Sequence, residues 1–149
     1  MKNNKLLNLL LPFIALSLIY ATMLMGVYIS SLNKGVSCTG WPLCPNGFAF
    51  PPEKFFYEHF HRLLAVIAAI FIGISLVFIR KSYWELNKLV AIIVTTLITA
   101  QIVMGMFVVS TKLNPILVAI HLSTAVTIFS LIFVLLRESY IEIKRKTYS

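Results

Sequence analysis

The sequence predicts an all-α integral membrane four-helix bundle, both termini cytoplasmic, with a long extracytoplasmic loop between helices 1 and 2. Three observations carry that prediction. Of the 149 residues 59% are apolar and only 12% charged, where a soluble domain carries about a quarter charged residues. Four apolar stretches predict helices over about residues 6–30, 57–80, 88–110 and 115–137, each longer than the ~20 residues that cross a hydrocarbon core. The basic residues divide unevenly between the two ends. Lys2, Lys5, Arg80, Lys81, Lys88, Arg137, Lys144, Arg145 and Lys146 fall on one side and Lys34, Lys54 and Lys112 on the other, nine against three. That bias places the first group in the cytoplasm. The net charge of +8 is spread between apolar runs rather than gathered in a patch, which excludes nucleic-acid binding.

The first stretch is too long for the apolar core of a signal peptide, and no small-x-small site follows it. It reads as a retained helix. The loop over residues 31–56 is rich in Gly, Pro, Cys and aromatic residues. The connections over 81–88 and 110–114 are short, so helices 2, 3 and 4 are expected as antiparallel neighbours. Asn114 followed by Pro115 reads as an N-cap and first helical residue. Trp41, Phe55, Phe56 and Tyr57 on one side, with Tyr83 and Trp84 on the other, suit the aromatic belts of the membrane interfaces. No internal repeat is visible, and residues 1–149 are read as a single membrane domain.

Unpaired polar groups inside a membrane cost several kcal/mol, so the few present mark function. Helix 2 opens Glu58-His59-Phe60-His61-Arg62. At 100° per residue Glu58 and His61 lie about 60° apart on one face, and His59 points away. Ala65, Ala68, Ala69 and Ile72 continue the His61 face as a strip that a flat macrocycle or another helix can approach. His121 lies roughly 9 Å into helix 4 and His61 roughly 6 Å into helix 2, a similar depth. Two imidazoles facing across a bundle can fill the axial positions of a haem iron. A mononuclear zinc or copper site would want more protein ligands than this depth offers.

Each feature has a plainer reading. A histidine near a membrane helix end is commonly interfacial or a helix–helix hydrogen-bond partner, and His59 is assigned that interfacial role. Glu58 suits the positive end of the helix dipole, and Arg62 can snorkel. Gln101 and Gly105, one turn apart on helix 3, suit a close helix contact with an interhelical hydrogen bond. Cys38 and Cys44 face an oxidising compartment in this topology and are expected as a disulfide. Their role is either a clamp on the loop or a thiol pair controlling access to the site.

Taken in order, these residues resemble the haem A synthase (cytochrome oxidase assembly) family. The run Cys38-Thr39-Gly40-Trp41-Pro42-Leu43-Cys44 is similar to that family's Cys-…-Trp-Pro-x-Cys loop, and Glu58-x-x-His61-Arg62 to its motif at the start of helix 2. Gln101-x-x-x-Gly105 and His121-Leu122-x-x-Ala125 match the equivalent stretches of helices 3 and 4. The resemblance covers roughly residues 10 to 136. Typical members have eight helices in two similar halves, each with a histidine pair. This chain looks like a half-length, archaeal-type member, nearer the N-terminal half, which the family associates with the substrate haem; the other half is associated with haem b.

The resemblance implies oxidation of the haem O methyl group to the formyl group of haem A, through an alcohol. It implies His61 and His121 as haem-iron ligands, and Glu58 near the reacting methyl as proton acceptor or stabiliser of a cation. Arg62 and Gln101 would meet a haem propionate or support the site, and the cysteine loop would cover its outer mouth. Haem b and/or haem O are the implied cofactors. The implied partners are the lipid bilayer, a second copy in a homodimer or higher oligomer, a redox partner and haem O synthase. The implied setting is a prokaryotic plasma membrane. Two other readings stay open. A b-type haem electron carrier or haem carrier subunit would share the histidine pair. A membrane disulfide oxidoreductase would need a second cysteine pair, and the chain has two cysteines in total.

Overall fold

The computed structural model describes residues 2–32, 34–38, 40–42, 44–45, 47–80 and 85–148. Lys81, Tyr83 and Trp84, assigned above to one side of the membrane, lie outside the described residues. All regular structure among the described residues is helical: α1 (Lys2–Ser31), a single 3-10 turn (Glu53–Phe55), α2 (Phe56–Arg80), α3 (Glu85–Ser110) and α4 (Pro115–Tyr148). The four long helices are each long and apolar enough to cross a membrane.

α1 packs most extensively on α2 and also on α4. α3 packs on α4 and meets α2 only lightly, and α2 and α4 touch at few points across the bundle axis. The helices therefore form a ring in chain order, closed by the α1–α4 seam. Successive helices alternate in direction. The loop after α1 and the α3–α4 turn meet at one end, where a Cβ at Gly35 would stand 2.9 Å from Leu113 Cδ2 and 3.2 Å from Ile29 Cγ2. Only a residue without a side chain passes there undisturbed.

The helix ends follow from local chemistry. α3 stops at a left-handed pair, Lys112 (φ 54°) and Leu113 (φ 63°). The Lys112 amide donates to the Val109 carbonyl (3.1 Å) and the Leu113 amide to the Val108 carbonyl (2.9 Å), the two bonds of a Schellman ending. α4 starts as expected: Asn114 Oδ1 accepts from the Ile116 amide at 3.0 Å, and Pro115 stands at the first helical position, where no amide hydrogen is needed. α4 then continues to Tyr148 rather than ending near residue 137. Nothing in Arg137-Glu138-Ser139-Tyr140-Ile141-Glu142 stops a helix, and leaving the apolar layer does not by itself break one. Ser139 is buried, and the exposed pair Arg137–Glu138 (2.7 Å) adds little energy.

The bundle has two storeys. Ala15, Leu16 and Ile19 of α1, Ala68, Ile72 and Leu76 of α2, Val94 of α3, and Ile128, Ile132 and Leu135 of α4 form one buried cluster. These positions lie 12–20 residues from the loop-side ends of their helices, whereas His61 and His121 lie 5 and 6 residues from theirs, so the cluster fills the bundle beyond the histidines, away from the loop. Ser75 is fully buried within that storey, and its hydroxyl is satisfied by donating to the Phe71 carbonyl at 2.7 Å. The opposite storey, beneath the loop, holds Glu58, His59, His61, Gln101 and His121.

Candidate functional site

His61 and His121 both belong to the loop-side storey, because α2 and α4 each start there. Each meets a glycine on the helix that precedes it in the chain. A Cβ at Gly26 of α1 would lie 3.0 Å from His61 Cε1, and one at Gly105 of α3 would lie 3.6 Å from His121 Cε1. An isolated glycine in a helix costs about 1 kcal/mol relative to alanine, and at Gly26 the close approach of an imidazole is the reason for it.

α3 supports the second histidine through its other predicted residue. Gln101 Nε2 donates to the His121 backbone carbonyl at 2.9 Å, the interhelical hydrogen bond expected of the Gln101/Gly105 face. Among the described residues, three buried side-chain atoms of this storey find no hydrogen-bond partner: His61 Nδ1, His121 Nδ1 and Gln101 Oε1. Each such atom costs ~1–3 kcal/mol. Concentrated on the two histidines and the glutamine bonded to the backbone of one of them, they suit a site built to receive a group rather than a sealed core.

Glu58 and Arg62, one turn apart on α2, are turned to the loop. Glu58 is 3% exposed. Its Oε2 accepts from Ser37 Oγ (3.0 Å) and from the Cys38 amide (2.9 Å), and its Oε1 accepts from Arg62 Nη2 (2.6 Å). Arg62 Nη1 donates to the carbonyls of Gly40 (2.7 Å) and Pro42 (3.1 Å). Cys38 and Cys44 form a disulfide, as the topology led us to expect. One carboxylate and one guanidinium thus clasp both sides of a disulfide-closed loop onto the first turns of α2, with His61 between them in the chain. Such charge-assisted bonds are about twice as strong as neutral ones.

The helical wheel placed Glu58 with His61, but Ser37 and Cys38 as its partners had no sequence signal, lying 21 and 20 residues earlier across an irregular loop. His59, expected at the interface, is buried at 7% exposure, with the Phe60 ring edge-on at 6.3 Å. A wheel shows that His59 points away from His61, but not which segment covers that face. Of the alanine strip, Ala68 and Ile72 join the buried cluster while Ala65 is exposed. Gly26 went unnoticed. The signal that would have found it was its isolation, as the lone glycine among the bulky residues of α1.

Among the described residues no group of three or more His, Cys, Asp or Glu side chains comes together. A bare metal ion would therefore find too few protein ligands at the histidine pair. A haem iron needs only axial ligands from the protein, and a pair of imidazoles with unpartnered nitrogens fits that requirement.

The family profile described as cytochrome oxidase assembly protein matches residues 45–147, a span that includes Glu58, His61, Arg62, Gln101 and His121. A curated relative, the "Heme A synthase" of Geobacillus thermodenitrificans, is 32% identical over 100 residues, covering 64% of this chain and 31% of the relative. The chain thus spans less than a third of the length of that relative. No solved structure matches.

Proposed function

Because the chain belongs to the cytochrome oxidase assembly protein family, we propose that it is a haem-modifying membrane oxidoreductase of the haem A synthase kind, oxidising the methyl group of haem O to the formyl group of haem A. The observation that carries this reading is the pair His61 and His121. Both lie in the loop-side storey on diagonal helices, each against a glycine, with Nδ1 unpartnered. In this reading they would hold the haem iron through their imidazoles. When bound, the haem supplies the redox chemistry, and the chain binds, orients and covers. Gln101 ties α3 to the α4 backbone at His121 and so fixes the height of that ligand. Glu58 and Arg62 hold the disulfide loop as a cover over the outer mouth. Glu58, three residues from His61, is also the carboxylate placed to accept a proton or steady a cation if it is released from its loop donors.

The same reading places both termini in the cytoplasm of a prokaryote and the disulfide loop outside, following the basic residues. Oxidation of a methyl to a formyl group takes one oxygen atom from water and releases four protons and four electrons; the electrons would pass to a redox partner, and a haem O synthase would supply the substrate. A homodimer or higher oligomer would restore the two-site arrangement implied by the resemblance to longer members. One observation favours a second reading, a haem carrier without oxidation chemistry: three donors from the loop and Arg62 already occupy both oxygens of Glu58.

The deciding experiment is the reduced-minus-oxidised absorption spectrum of detergent-purified protein, followed by a haem O conversion assay. A low-spin bis-imidazole spectrum is expected in the wild type and its loss in both His61→Ala and His121→Ala. Retention of that spectrum in either variant would remove the histidine pair. Haem binding without formation of haem A would decide for the carrier.

A further inference from the structure

The loop carries a second feature that haem chemistry does not use. Pro45-Asn46-Gly47-Phe48-Ala49-Phe50-Pro51-Pro52 contains no charged residue, and its two phenylalanines are the most exposed large apolar side chains described, Phe48 at 82% and Phe50 at 78%. On a surface facing water this would be a liability. The described residues of the segment are nevertheless held by specific contacts. Gly47, at φ 59°, donates its amide to the Cys44 carbonyl at 2.8 Å, so the aromatic tip turns directly out of the disulfide.

The Phe50 ring meets Phe56 edge-on at 6.0 Å. Phe56 continues the ladder to Tyr57 (5.7 Å), and Tyr57 to Tyr28 of α1 (5.7 Å). These rings stand where α1 ends and α2 begins, and the apolar span of the second helix runs from Glu53 to Phe78. The tip is therefore continuous with the aromatic collar of the bundle at the height where a bilayer passes from acyl chain to headgroup. Lys34 Nζ lies 4.9 Å over the Tyr57 ring and Lys54 Nζ lies 5.6 Å over the Phe55 ring. The same two lysines, with Val36, Ser37 and Glu53, line a groove of about 370 Å³. Two ammonium groups against one carboxylate leave that groove cationic, at the level of lipid phosphates.

We propose that this face is a lipid-docking surface. Phe48 and Phe50 seat in the interfacial layer of the loop-side leaflet, and Lys34 and Lys54 hold the phosphate of an anionic phospholipid in the adjacent groove. The occupant is lipid rather than a second copy because the aromatic tip is joined ring by ring to side chains of the membrane-spanning helices, and because the groove beside it matches a phosphate in charge. Docking would set the height of the disulfide loop, and with it the cover held by Glu58 and Arg62.

The test uses the full chain with Phe48→p-benzoylphenylalanine, a position exposed enough that folding is not at risk. The protein is reconstituted into vesicles of phosphatidylethanolamine and phosphatidylglycerol, irradiated, and weighed intact. A protein adduct heavier by one phospholipid is expected, with phosphatidylglycerol at least twofold enriched over its share of the vesicle. Adding Lys34→Gln and Lys54→Gln should abolish the enrichment and leave the adduct. Crosslinking between two copies, or protein left without a lipid adduct, would overturn the proposal. Enrichment that survives loss of both lysines would overturn its groove.

Discussion

Replacing Gly26 with alanine tests whether the seat of His61 is as tight as its geometry implies. The new methyl would lie 3.0 Å from Cε1, 3.6 Å from Nδ1 and 3.7 Å from Nε2. Ordinary contact for such a carbon begins near 3.4 Å, so ring or helix must yield by about 0.4 Å, most of the ~0.5 Å within which a binding constellation keeps its function. Overpacking of this kind costs ~1–3 kcal/mol, and alanine returns about 1 kcal/mol through helix propensity. The fold should therefore lose between nothing and about 2 kcal/mol. The ligand it displaces should lose more of its function, roughly tenfold in haem affinity, the lower end for disturbed metal-site supports. Gly105→Ala is the internal control, because its methyl would meet His121 Cε1 at an ordinary 3.6 Å. It should gain up to about 1 kcal/mol in stability and keep its haem. Haem per protein after titration, beside thermal melting of both variants, reads the two effects separately. Equal haem affinity in the two variants would refute the claim that the α1 backbone seats His61.

The remaining predictions concern the loop and the turn. Glu58→Ala removes the acceptor of three hydrogen bonds and leaves Arg62, whose side chain is 13% exposed, with only carbonyl partners; a loss of about 3 kcal/mol is expected, read as a lowered melting temperature and faster proteolysis between Ser37 and Pro42. Glu58→Gln keeps one acceptor oxygen, so it should lose less stability and retain haem while failing to convert haem O. Normal conversion by that variant would remove Glu58 from the chemistry. Cys38→Ser with Cys44→Ser opens a loop of seven residues, and the chain-entropy relation gives about 2 kcal/mol; a clamp role predicts that loss with haem retained, whereas loss of haem O conversion at unchanged stability would show a redox role. Lys112→Gly relieves a left-handed position and should raise stability by about 0.5–1 kcal/mol in chemical denaturation; a drop would show that the lysine side chain matters more than its backbone.

The sequence by itself determined the fold class, the presence of four helices of membrane-crossing length, the cap that starts α4 and the identity of the polar residues worth following. Those are local properties: ~20 apolar residues cross a bilayer whatever surrounds them, and Asn114 needs only the amide of Ile116 to cap its helix. The disulfide also followed locally, from the side of the membrane on which two nearby cysteines were expected to fall. What only the tertiary structure decided is which way each helix faces. In a soluble bundle the apolar stripe marks the interior, but lipid is as apolar as a core, so hydropathy cannot tell Ile72, which is buried, from Ile70, which is 54% exposed. The packing of α1 on α2 that sets Gly26 against His61, the turning of Glu58 toward Ser37 and Cys38, and the burial of His59 all depend on helix rotation and on the path of the loop. Those contacts join residues far apart in sequence, and they exist only once the bundle has closed.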